Sequence, residues 1–386
     1  MTFPIYLDYN ATTPVDPRVL ERMLPFFTRH YGNASSKGHA FGWAAAEGVK
    51  QAREEVAAAM GADPSEIVFT GGATESINLA IKGIAAAYRS KGRHIVTVQT
   101  EHSAVLEACK ALEQDGWSIT RLSVGADGLV RLEDIEAAIT EETVLVSVMW
   151  ANNETGVLQP ITAIGEVVHR RGALFLTDAT QAFGKIPISV DVVDVMACTA
   201  HKLYGPKGVG ALYIRRRQPR VRVVPQIDGG GQEDGLRAGT LNTPGIVGFG
   251  SAAAVAMAGM EAEAARLGAL RDVLESRLVE VLPGVRVNGA GAPRLAHVSN
   301  LTFPGVRSAN LVAELRDLAL STGSACSSGT GNPSHVLKAM GLSDEAAYAT
   351  LRISLGRFTT PEEVEHAASR MISVVSRLQK PSHVTI

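Results

Sequence analysis

The strongest constraint on the fold of this chain is an alternation that runs from about residue 65 to residue 213. Short β-branched runs, "EIVFT", "HIVTVQ", "TVLVSVMW", "ALFLTD" and "VDVMACTA", are separated by amphipathic segments. One of these, "TESINLAIKGIAAAYRSKG", sets Ile77, Ile81, Ile84 and Tyr88 on one helical face. Strands that are apolar almost throughout, with helices between them, predict an α/β fold with a mostly parallel sheet covered on both sides. Ligands of such folds sit at the carboxyl ends of the strands, so the residues after each strand become the candidates.

Past the alternation, the Ala-rich stretch from Gly245 to Leu282 predicts a long connecting helix. After it, "VRVNG", "HVSNLTF" and "LRISLG" read as strands, with helices near residues 310–320 and 361–379. A smaller α+β domain at the C-terminus is the economical reading, and 386 residues leave room for two domains.

Composition narrows the functional classes. A net charge of −2 argues against general nucleic-acid or anionic-membrane binding, which needs a strong positive field. The run "RRRQPRVR", Arg215 to Arg222, is read as a solvated strand end. The N-terminus has no basic leader pattern, and no apolar run is expected to reach the roughly 20 residues that span a bilayer. Cys109, Cys198 and Cys326 form neither a disulfide framework nor a metal knuckle, which fits a reducing compartment and a cytoplasmic protein. Cys109 is in register with Val105 and Leu112 and is expected in the core, as is Cys198 within its strand. Cys326 differs: it sits among small, turn-forming residues in "STGSACSSGTGNPSHVL", where a thiol is an oxidation liability unless its reactivity is used.

The strand ends carry a suggestive set. "GGATES" follows the first strand and places Ala73 and Thr74 at a helix start, where exposed N–H groups suit a phosphate. His102 follows the second, "ANNETG" with Asn153 the third, and Asp178 with Gln181 the fourth. Thr199, His201 and Lys202 follow the fifth. Each has a bland alternative: a structural hydrogen bond for His102, turn amides, or a helix cap for Asp178. Together, an anion cradle, a carboxylate, an amine and an imidazole on one rim make the kit for pyridoxal 5'-phosphate. Lys202 is preferred over Lys207, which lies inside a Gly/Pro turn.

The motifs "YLDYNATTP", "GNASS", "GGATESINLAIKG", "TEHSAV", "WANNETG", "TDATQAFGKIPI", "AHKLYGPKGVGALYIR", "GGGQEDGLRAGT", "GSACSSG" and "LRISLGRFT" occur in this order over nearly the whole chain. In them the chain resembles the NifS/IscS-type cysteine desulfurases, class V members of the fold-type-I pyridoxal-phosphate enzymes. The resemblance implies a large cofactor domain over 15–261, and a small domain over 1–14 and 262–386 that carries the Cys326 loop. It implies that Lys202 holds the cofactor covalently and that Asp178 keeps its ring nitrogen protonated. His102 would stack on the ring and shuttle protons, and Gln181 would bond the ring hydroxyl. Thr74, Thr199 and His201 would hold the phosphate, joined by Thr240 from the partner subunit of a homodimer. Asn153 and Arg352 would receive the substrate carboxylate, with Asn33 a softer substrate contact; a structural ion pair is the alternative for Arg352.

Resemblance also implies the reaction: L-cysteine becomes L-alanine, and Cys326 leaves with the sulfur as a persulfide. An acceptor protein, such as an iron–sulfur scaffold, then takes it. Two departures stand out: Thr199-Ala200 where members often have Ser-Gly, and Gln232 where many have histidine. The rival readings are another pyridoxal-phosphate lyase or aminotransferase, a non-catalytic scaffold, and cleavage of selenocysteine or cysteine sulfinate.

Overall fold

The computed structural model describes residues 3–322 and 332–379, so Cys326 and its neighbours lie outside the described residues. The alternating region forms a seven-stranded sheet from Ile67–Thr70 (β1), His94–Val98 (β2), Ser118–Leu122 (β3), Thr143–Ser147 (β4), Leu174–Asp178 (β5), Val195–Thr199 (β6) and Gly210–Ile214 (β7). Their order is β1-β7-β6-β5-β4-β2-β3. Every pair is parallel except those of β7, which runs antiparallel to both β1 and β6.

Alternation along the strands feeds two cores. Val195, Ala197, Leu145 and Leu176 pack beneath the helices Ala73–Tyr88 (α2) and Ser103–Gln114 (α3), through Ile77, Ile81, Ile84, Val105, Cys109 and Leu112. Met196, Cys198, Val146 and Phe175 face the other way, toward Ala40–Met60 (α1), Ile161–Arg170 (α4) and the start of Thr243–Val281 (α5). Both expected core cysteines are fully buried.

Helix α5 corrects one expectation. It carries an 18-residue window apolar and charge-poor enough, by length and composition, to cross a membrane, and 56% of that window is buried inside the protein. Small residues explain the burial: a Cβ at Gly250 would lie 2.5 Å from the Ala52 Cα, so glycine lets α5 and α1 approach closely. The C-terminal half of α5 then supplies Leu267, Leu270, Leu274 and Leu278 to a third core. That core also holds Pro361–Gln379 (α6) and a three-stranded antiparallel sheet of Arg286–Val287 (β8), Val298–Thr302 (β9) and Thr350–Ser354 (β10). Leu7 joins it from the N-terminus, where Ile5–Tyr6 pairs with Leu318–Ala319. The helix expected near 310–320 is Ser308–Glu314, ending earlier because the chain turns into that short pairing.

The basic run is mostly absorbed by structure. Arg215 is ion-paired to buried Asp194 at 3.2 Å, Arg216 to Asp234 at 2.7 Å, and Arg222 lies over the Tyr88 ring.

Candidate active site

A cavity of about 670 Å³ opens at the carboxyl ends of the parallel strands. It is lined by Ala73, Thr74, His102, Asn153, Asp178, Gln181, Thr199, His201, Lys202 and Arg352. The strand-end reasoning therefore converges on one place.

After β1 the chain turns through Gly71 and Gly72 into α2. Gly72 has φ +152°, a conformation that side chains resist, and no side chain caps the helix it opens. The first N–H groups of α2 therefore have no capping side chain, and Ala73 and Thr74, which carry two of them, line the cavity. Thr199 Oγ donates to the Val209 carbonyl at 3.0 Å and keeps its lone pairs, so the departure from Ser-Gly retains a hydroxyl at the cavity wall.

His102 caps α3: its Nδ1 accepts from the Ala104 N–H at 3.1 Å, which leaves Nε2 to carry the ring proton in the neutral form. Burial pushes its pKa down, with Asp178 opposing and Lys202 and His335 adding to the depression. Beside it, Glu101 is completely buried and accepts from the Met149 N–H at 2.7 Å. Burial, reinforced by the charge of Asp178, holds its carboxyl well above the usual range. Asp178 ends β5 and accepts from the Thr180 N–H at 2.9 Å, the local bond of a helix-cap-like turn.

Lys202 closes the short turn Ala200–Lys202 after β6. Its Nζ donates to the carbonyls of Asn10 and, at 2.7 Å, Ala11. Lys207 also lines the cavity but is exposed. His201 Nδ1 lies 3.1 Å from Thr12 Oγ; burial first, then the charges of Lys202, Lys207 and Lys185, push it down to about 4. Arg352, on β10, is 2% exposed, pairs with Asp8 at 2.6 Å and donates to the Asn153 carbonyl at 2.9 Å. It is both an ion pair and a cavity residue.

Asn33 and Thr240 lie outside this cavity, and for Thr240 the expected site is that of a partner subunit. Asn33 is exposed and not among the cavity residues; its Oδ1 accepts from the Ser35 N–H at 2.9 Å, closing a turn on itself. Thr240 is exposed on its own chain, outside this cavity. Gln232 accepts from the Gly239 N–H at 3.0 Å, a loop-shaping role. The residues that sequence reasoning missed are Asn10, Thr12, Met149 and Thr180. Asn10 had a signal in "YLDYNATTP", but its partners are over a hundred positions away and unreadable locally.

The donor set fits pyridoxal phosphate. Arg352 Nε and Thr180 Oγ are buried without a partner among the described residues, and both residues line the cavity. An uncapped helix start suits the phosphate, and an amine and a carboxylate suit the two ends of the ring system. A mostly parallel sheet with this rim defines a pyridoxal-phosphate enzyme of fold type I. Residues 5–366 match the class-V aminotransferases, and the chain belongs to that family. It is 52% identical over 384 residues to a cysteine desulfurase IscS of Anaeromyxobacter sp. (strain Fw109-5), covering 99% of this chain and 95% of the relative. Among solved structures, a NifS-like protein superposes with a TM-score of 0.89 at 38% identity, covering 97% of this chain and all of that one. SspA, solved in complex with cysteine, superposes with a TM-score of 0.82 at 40% identity, covering 92% and 100%.

Proposed function

We infer that this chain is a pyridoxal-phosphate-dependent cysteine desulfurase that converts L-cysteine to L-alanine and carries the sulfur away on Cys326. The observation that carries the reading is the single cavity that gathers Lys202, Asp178, His102, Arg352 and the uncapped start of α2.

Bound pyridoxal phosphate supplies an electron sink that stabilises negative charge at the substrate Cα. The start of α2, Thr199 and His201 hold the phosphate, and Asp178 holds a proton on the ring nitrogen. Arg352 meets the substrate carboxylate through the Nη hydrogens that its bonds to Asp8 and the Asn153 carbonyl leave free. Lys202 Nζ takes the Cα proton, and His102 Nε2 holds a proton for transfer at the other reacting atoms. The Cys326 thiolate attacks the substrate sulfur: the C–S bond breaks and an S–S bond forms. The electron pair stays on Cβ, which takes a proton and becomes the methyl of alanine, so no outside oxidant enters.

The reading extends to a homodimer, to delivery of the persulfide to an acceptor protein such as an iron–sulfur scaffold, and to a cytoplasmic setting where thiols stay reduced. Leu20, Leu24, Phe27, Tyr31, Phe41 and Trp43 are exposed large apolar side chains on neighbouring segments, with Trp43 at 59%; this supports a second copy covering them. The exposure of Thr240 on its own chain supports its donation to a partner's phosphate site. The third core, separate from the two around the large sheet, supports the division into 15–261 and 1–14 with 262–386.

Alanine formation from L-cysteine, with a thiol present to release sulfide, tests the reading. Equal yields of alanine and sulfide are expected, lost in both Lys202→Ala and Cys326→Ala. Full sulfide production by Cys326→Ala would overturn it.

A further inference from the structure

One amine beside the site has no part in the reaction above. Lys185 stands in the turn after β5, with Nζ 3.2 Å from His297 Nε2 and 3.4 Å from Gln181 Oε1. The same His297 Nε2 is 2.9 Å from Asn10 Oδ1. Asn10 in turn organises the site. Its carbonyl receives both Lys202 Nζ and Gln181 Nε2, its Nδ2 donates to the Asn153 carbonyl, and its N–H donates to Ser354 Oγ. Lys185 and His297 line a separate small cavity of about 30 Å³, with Tyr9, Tyr204, Glu263 and Arg357.

A single ring nitrogen cannot satisfy both neighbours. Asn10 Oδ1 only accepts, so its bond requires a proton on His297 Nε2. Flipping the Asn10 amide is no escape, since Oδ1 would then face the Asn153 carbonyl. A Lys185 ammonium only donates, so it requires Nε2 to be bare; a neutral amine has a lone pair and removes the conflict. The charge on Lys185 and the His297–Asn10 bond therefore compete for one nitrogen.

We propose that Lys185 is a positioning residue whose protonation breaks the His297–Asn10 hydrogen bond and so loosens the carbonyl that holds Lys202 and Gln181. The charges facing it are mainly positive: Lys202 after β6, Arg352 on β10, and Arg271 of α5 beside His297. Glu263 of α5 is the opposing acid and is itself paired with Arg357 at 2.7 Å. Burial, with the charge of Lys202 next, brings Lys185 down to about 7. His297 is pushed well below its ordinary value by burial, then by Lys185 and Arg271, so near neutral pH it changes tautomer rather than charge. Amides do not relay protons, so Asn10 and Gln181 transmit orientation only.

Nitrogen-15 histidine NMR of the holoenzyme tests this, with His297 assigned by its loss in His297→Gln. In the wild-type protein Nε2 is expected to change from bare to protonated as pH rises through roughly 6 to 8, and to stay protonated throughout in Lys185→Met. A pH-independent wild-type signal, or the same transition in Lys185→Met, would overturn the proposal. The kinetic arm rests on the desulfurase reading. Lys185→Met is expected to lose the acid limb of kcat near neutrality while KM for L-cysteine changes less than about twofold, because Lys185 does not line the substrate cavity. An acid limb unchanged in the variant counts against the proposal. A protein inactive on L-cysteine that still shows the Lys185-dependent tautomer change would sink the desulfurase reading and leave the switch standing.

Discussion

Arg352 lines the cavity with one Nη donating to Asp8 and the other to the Asn153 carbonyl, and each Nη keeps a second N–H. Lysine keeps the charge, but its three donors sit on one nitrogen and cannot reproduce the planar fork that spans Asp8, the Asn153 carbonyl and a ligand. Arg352→Lys is therefore expected to raise KM for L-cysteine about tenfold or more with a smaller change in kcat, checked by steady-state kinetics. Glu101 makes a different kind of statement, about pH. Its folded pKa lies above the ordinary 4.5, so the group's stabilising contribution is complete below that value and is lost as pH rises toward the folded pKa. Glu101→Gln retains an acceptor for the Met149 N–H and removes the titration. The variant should gain stability relative to wild type as pH rises, and denaturant unfolding at acid and alkaline pH measures the difference.

Helices and strands owe their placement to a few non-local clamps, and Glu233 is one. It is held at φ +48°, and its buried carboxylate accepts from Arg53 of α1 and from the Phe69 N–H of β1 at 2.6 Å. This pins the loop that carries Thr240 against the large sheet. Removing one partner of a buried ion pair leaves the other uncompensated, so Glu233→Ala should cost about 3 kcal/mol in unfolding free energy, read from a denaturant midpoint. Element boundaries were legible where apolar periodicity was strong, as in α2 and β4 to β6. Two strands were not. Ser118–Leu122 is a half-exposed edge whose "SITRL" lacks a buried run, and β7 follows a Gly/Pro turn that reads as loop until β1 and β6 pair with it.

For the whole molecule, the rim of the sheet was readable because topology places every parallel strand's end on one side. Asn10, Thr12 and the Lys185–His297 pair were not, since chain segments far apart in sequence bring them together. The assembly makes its own test. If a second copy covers the apolar surface at Tyr31, Phe41 and Trp43, then Trp43→Asp should shift the protein from dimer to monomer in sedimentation and weaken cofactor retention. The central claim is that the sulfur of L-cysteine ends on one particular thiol. Cys109 and Cys198 are buried, and their thiols are pushed up by burial, Cys109 to about 12. Brief exposure of the holoenzyme to L-cysteine, followed by peptide mass spectrometry, should therefore place an added mass of about 32 Da, one sulfur, on Cys326. That mass on Cys109 or Cys198, or on no cysteine while alanine still forms, would contradict the account.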